Sequence, residues 1–298
     1  MKNEKMMNRI TIRTLTFASV LLLLLAGCVK DDLHNTPHPD KGAVQVTADW
    51  TGRSSDAGVP ESHVLRIGEE SQTVTGETNT FQSLLTPDSY RLLAYNTPEG
   101  ITVAGNTATV NSLPDGTLTP QPEYLFCATR ELNVIADDTV RVTLPMQQTI
   151  RSLTLTLGLA AGDKERIAST TATLTGIVHS IDLTTGEPTE GQTGGTVAPE
   201  FKTGVVTPTR AEGKPVLAAM LRLMGVVNGE RQILTLAITL TDGYVQTITT
   251  DLTEALKDFG GDMEALVLDA VLNLPVAGEI GGTITGWKEV DNGNIEIH

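Results

Sequence analysis

Aromatic side chains are scarce in this 298-residue chain, which holds 5 Phe, 4 Tyr and 2 Trp. Sugar sites and single-strand nucleic-acid sites often depend on stacked rings, so the shortage weakens both binding classes. Basic residues are few as well. Lys and Arg number 21 against 36 Asp and Glu, a net charge of −15, which argues against nucleic acid or an anionic lipid surface as a partner. The familiar catalytic signatures are missing. There is no Gly-x-Ser-x-Gly elbow, no Gly-Lys-Ser or Gly-Lys-Thr phosphate loop and no His-Glu-x-x-His pair. The five His (His34, His38, His63, His179 and His298) are scattered, with no pair at ligand spacing inside one predicted element. Adjacent acids such as Glu69-Glu70 and Asp137-Asp138 flank predicted strands or turns, as solvated surface acids do. The chain therefore reads as a non-enzyme with no cofactor.

Long apolar runs are absent with one exception. Lys2, Lys5, Arg9 and Arg13 precede an 11-residue apolar stretch from Leu15 to Leu25, which closes on Ala26-Gly27-Cys28. A bilayer-spanning helix needs about 20 apolar residues, so the stretch reads as a secretory signal peptide over residues 1–27. Its removal takes away four basic residues and one acid, leaving 271 residues with a net charge of −18. Leu25-Ala26-Gly27-Cys28 resembles the lipobox of bacterial lipoproteins, in which small residues flank the scissile bond and the Cys is diacylated through its thiol and becomes residue one after cleavage. Two acyl chains hold a protein stably on a membrane. Cys127 is then the one remaining cysteine of the mature chain. Leu125, Phe126 and Ala128 around it suggest a strand in which the thiol is a small buried hydrophobe.

Residues 28–42 form a tether in which Pro37 and Pro39 oppose regular structure. Thr is abundant, at 44 residues, and with Val, Ile and Leu in short runs it indicates strands. Predicted strands run from Ala43 to Trp50, His63 to Ile67, Tyr90 to Tyr95, Ile101 to Ala104, Leu132 to Ile135 and Val140 to Leu144. Turn-rich stretches separate them, and no crossover helix intervenes. From about residue 148 the pattern restarts. Leu153, Leu155, Leu157 and Leu159 alternate with polar or small residues, predicting one buried face and one wet face. Asn228-Gly229 and Asp242-Gly243 predict hairpin turns and a three-strand meander. Its first strand, near Val216 to Val227, could equally be a buried helix. Leu252, Ala255, Leu256 and Phe259 predict a short helix, 182–213 a long loop, and Asn292-Gly293 a closing hairpin. The fold class is all-β, with two tandem antiparallel sandwiches at 43–147 and 148–298.

A lipobox, a tether and two β domains come in a set order. The boundary between the domains is Val140-Arg141-Val142-Thr143-Leu144-Pro145. Thr173-Leu174-Thr175-Gly176-Ile177 and a terminal Ile284-Thr285-Gly286-Trp287 follow it. Together these features resemble the fimbrillin-like lipoproteins of Bacteroidales, and among them the anchor-type minor subunits. The resemblance implies transthyretin-like sandwiches, lipid on Cys28, an outer-membrane location facing the cell surface, and other fimbrial subunits as partners joined by strand exchange. Lys30-Asp31-Asp32 is similar to the surface-export signal of such lipoproteins, though a solvated charge cluster beside an anchor has the same composition. Polymerising members lose their first strand to an arginine-specific protease, which here directs attention to Arg53, just past the strand Ala43 to Trp50. An exposed loop arginine is ordinarily a solvated charge. The long loop and the short chain beyond Trp287 favour an uncut anchor over a donor of strands from Thr283 onward. A surface lipoprotein that binds a glycan or host ligand without polymerising is the alternative.

Overall fold

A computed structural model describes residues 40–206, 214–275, 281–290 and 295–297. The signal peptide, Cys28, Lys30-Asp31-Asp32, most of the tether and Asp291-Asn292-Gly293-Asn294 lie outside the described residues.

Period-two burial builds the first half. Val44, Val46 and Ala48 point inward from β1 (Ala43–Asp49), while the residues between them are partly exposed. β1 lies between β4 (Thr78–Thr80) and β9 (Thr139–Pro145). Facing it is a five-stranded sheet in the order β10 (Gln147–Gln148), β8 (Phe126–Val134), β5 (Asp88–Tyr95), β2 (Ser62–Ile67) and β3 (Glu70–Thr75). The apolar cluster between the sheets draws all its buried members from Val44 to Met146 and centres on Trp50, Phe81 and Phe126.

The second half repeats the plan at larger size. A six-stranded sheet runs in the order β20 (Thr283–Glu289), β19 (Leu266–Asn273), β11 (Arg151–Gly158), β16 (Lys214–Leu223), β15 (Lys202–Val206) and β21 (Ile295–Ile297). Opposite lie β14 (Gly195–Val197), β12 (Ile167–Ile177), β17 (Ile233–Leu240) and β18 (Val245–Asp251). Most ladders are antiparallel. The exceptions are β1 with β9 and β11 with β19, so the opening strand of each half pairs in parallel with a later one.

The halves share structure. β6 (Ile101–Ala104) and β7 (Thr107–Val110), from the first half, form a sheet with β13 (Ser180–Asp182), from the second. Leu118 pairs with Val197. The larger apolar cluster joins Leu93, Tyr95, Ile101, Ala108, Val110, Leu118, Leu125 and Cys127 to the second half's interior. Cys127 is a buried free thiol, its pKa pushed up to about 11 by burial and then by the Asp182 charge.

Several expectations are corrected. β16 is a strand but does not pair with β17. It joins the six-stranded sheet, so Asn228-Gly229 turns the chain between sheets and only β17 and β18 form a hairpin, across Asp242-Gly243. Residues 253–260 are turns, not a helix. One i→i+4 bond (Leu256 to Leu252) gives way at once to an i→i+3 bond (Phe259 to Leu256), too short a run to propagate. The expected loop at 182–213 contains β14 and β15, whose Gly- and Thr-rich sequences hide them. The closing hairpin does not form, because β21 pairs with β15 while β20 pairs with β19 at the opposite edge. The second face of β11 is not wet. Ser152, Thr154 and Thr156 on that face are buried, in a strand from the interior of the six-stranded sheet.

Candidate functional site: the seat of the first strand

β1 is held along both edges. It pairs with β9 over seven residues, Ala43 to Asp49, and with β4 over three, Gln45 to Thr47. Gly42 at its start exchanges hydrogen bonds with Leu85 (2.8 and 2.9 Å). A Cβ at Gly42 would stand 2.3 Å from the Ile135 carbonyl and 2.6 Å from Val134 Cγ1, so only glycine fits where the tether joins the body. At the other end Trp50, 4% exposed, meets Phe126 and His63 edge to face at 5.4 and 5.6 Å. His63 Nε2 is buried with no hydrogen-bond partner among the described residues, and burial lowers the pKa of the ring.

After Trp50 the chain turns through a loop tied down at nearly every residue. Asp49 accepts from the Thr51 amide (3.0 Å) and hydroxyl (2.7 Å), which hold its carboxyl below the usual range. The exposed Arg53 folds back, with Nε donating to the Ala57 carbonyl (3.0 Å) and Nη1 to the Trp50 carbonyl (3.1 Å). Ser54 is 3% exposed. Its amide donates to Gln148 Oε1 (2.9 Å), and its Oγ lies 2.9 Å from the same atom and 2.6 Å from Asp56 Oδ1. The amide of Ser55 donates to Glu264 Oε1 (3.1 Å) and its hydroxyl to Oε2 (2.7 Å). Gln148 is fixed in turn by Nε2 donating to the Ile150 carbonyl (2.7 Å), and the Glu264 carbonyl accepts from Arg151 Nε (2.5 Å).

A second row of contacts backs the loop. Tyr124 donates to Asp56, its hydroxyl lies 2.7 Å from Ser152 Oγ, and Arg222 stacks 4.6 Å above its ring. Burial opposes ionisation of Asp56, yet the Ser54, Tyr124 and Ser152 hydroxyls outweigh it and lower its pKa. Burial and then the Asp56 carboxylate raise that of Tyr124. Beside this network opens a polar cleft of about 620 Å³ lined by Asp56, Glu61, Asn96, Glu123, Tyr124 and Arg222.

Of the residues expected to carry the lipid, the export signal and the protease site, Arg53 alone is described, and it sits in this loop. The segment from Thr283 onward occupies both edges of the six-stranded sheet, as β20 and β21. Among the described residues no group of three His, Cys, Asp or Glu could hold a metal ion, and no helix is long and apolar enough to cross a membrane. Ser54, Gln148 and Glu264 carry no sequence signal, since their contacts bridge 94 and 209 positions.

The strand order shows two all-β halves with the first strand seated in its own sheet, and the family match makes the chain a fimbrial or adhesin-like surface protein. The chain belongs to the fimbrillin-A associated anchor proteins Mfa1 and Mfa2, whose family model matches residues 37–293. Its fold is shared with the fimbrial anchor protein Mfa2 from Porphyromonas gingivalis, at 9% identity over 86% of this chain and 99% of that one, with a TM-score of 0.57. Two candidate adhesins from Bacteroides ovatus are also similar. One is 11% identical over 87% and 95% of the two chains, TM-score 0.58, and the other 15% identical over 86% and 96%, TM-score 0.55. Among curated protein sequences none matches the chain.

Proposed function

We propose that this chain is an anchor subunit of a cell-surface fimbria, held in the outer membrane by lipid on Cys28 and directed to its outer face by Lys30-Asp31-Asp32. Two domains, 43–147 and 148–298, form its body. The observation that carries the reading is the seat of β1, bonded along both edges and contributing Val44, Val46, Ala48 and Trp50 to the core. A strand so placed leaves no groove in the first half for a neighbour's strand, and it keeps body and tether in one covalent piece. Contact with other subunits then falls to strand exchange at the second half. There, among the described residues, β20 and β21 are the end strands of the six-stranded sheet, each with one ladder and an edge for pairing. Arg53 stays uncut. Mass spectrometry of protein taken from native membranes tests this: the reading requires a chain starting at acylated Cys28, and a chain starting at Ser54 refutes it.

The alternative, a surface protein that binds a glycan without polymerising, has the polar cleft on its side, where Asn96, Glu123 and Arg222 could meet sugar hydroxyls. Loss of glycan-array binding in Arg222→Ala, with filaments intact in its cells, would favour it.

A further inference from the structure

We infer that contacts from both halves lock the Arg53–Ser54 peptide bond against proteolysis, making the loop after β1 a latent cleavage site guarded from within the chain. The inference rests on the anchor reading and supplies its physical device. An endoprotease draws several residues on either side of the scissile bond into an extended conformation, so cleavage in a folded protein waits on local opening. Exposure of Arg53 alone does not grant this. Its guanidinium is spent on the Trp50 and Ala57 carbonyls and must leave both before it can enter a specificity pocket.

The leaving side of the bond is held more firmly. The amide nitrogen of the scissile bond belongs to Ser54, buried and donating to Gln148, and the next residue is gripped through backbone and side chain by Glu264. Neither partner belongs to the loop. Gln148 ends β10 on the link between the halves, and Glu264 precedes β19. Behind them Ser152 on β11 and Arg222 on β16 hold Tyr124 against Asp56. The first half closes the loop only in part: Gln148 lies on β10, the edge strand of its five-stranded sheet, while Glu264, Ser152 and Arg222 are presented by the folded second half. The lock is set once both halves are in place, and separating them would release it.

The test is cleavage of the purified full-length protein by an arginine-specific endoprotease, read by mass spectrometry as the rate at which Ser54 N-termini appear. Gln148→Ala with Glu264→Ala should speed this cut tenfold or more over the native sequence. Tryptophan fluorescence should stay native, and adding Arg53→Ala should abolish the new terminus. Equal rates in the native and doubly substituted proteins would overturn the lock. Should the double variant unfold, shown by cuts at the buried Arg151 as well, Glu264→Gln alone serves as a milder probe. It weakens only the Ser55 contact, and a rate no higher than native would likewise count against the lock. The two readings fail separately. Ser54 termini in native membranes refute the anchor, whereas equal rates in vitro with native chains starting at Cys28 refute the lock alone.

Discussion

Replacing Trp50 by Ala tests whether the halves are one cooperative body, because the loss falls in the first half and the remaining tryptophan reports from the second. Trp50 is 4% exposed, packs in the cluster confined to residues 44–146, and makes two edge-to-face contacts. Truncating such a ring costs about 3 to 5 kcal/mol. With a urea slope of about 3 kcal/mol per molar, the unfolding midpoint should fall by about 1 to 1.7 M. Trp287, half-buried and donating from Nε1 to Thr250 Oγ1 (3.1 Å), becomes the only tryptophan left, so fluorescence follows the second half alone. The β6–β7–β13 sheet and the continuous apolar cluster tie the halves together. The Trp287 midpoint should therefore fall with that of far-ultraviolet circular dichroism. An unmoved Trp287 transition, with dichroism lost in an earlier step, would refute the coupling.

Other outcomes follow from the same seat. His63 is buried with its pKa lowered by burial, so the unfolded chain takes up the proton first as pH falls below about 6.5. Stability present above that pH should drop by up to about 1.4 kcal/mol per unit toward pH 5. Melting temperatures of His63→Leu should lose that part of the slope, and an unchanged slope would contradict it. Gly42→Ala forces a Cβ onto the Ile135 carbonyl and should cost about 1 to 3 kcal/mol in urea melts, whereas Gly58→Ala, open within 4 Å, should be near neutral. Cys28→Ala should leave unprocessed precursor and abolish partition into detergent phase, and continued palmitate labelling would count against the lipid site. Replacing Lys30, Asp31 and Asp32 by Ala should protect the protein from protease added to intact cells at unchanged abundance, and equal sensitivity would dismiss the export signal.

What could be read from the sequence was what depends on near neighbours. The strands expected at β1, β2, β5, β9 and β17 fall within a residue or two of those found. Short apolar and β-branched runs bounded by turn residues mark them, with period-two alternation added in β17. β4, β14 and β15 escaped notice, being short and rich in Thr, Gly or polar residues, and they are strands only because a neighbouring ladder recruits them. Leu252, Leu256 and Phe259 showed the right spacing for burial and are buried, yet the segment is too brief to be a helix. Arg53 could be picked out by its place after β1. Its setting could not, since Gln148 and Glu264 come from chain the local pattern never compares with it.

The parallel ladder between β1 and β9 also has a mechanical meaning. On the anchor reading, load would enter the body at Gly42, and tension on the chain before Ala43 would act on the first end of β1. Seven paired residues then slide together against β9, with β4 resisting from the other side, and the bonds bear the load side by side. Pulling across the strand would instead unzip them one after another. Forced opening is governed by the unfolding rate and not by equilibrium stability, so on the anchor reading proposed above this ladder would let a body of ordinary stability hold under drag.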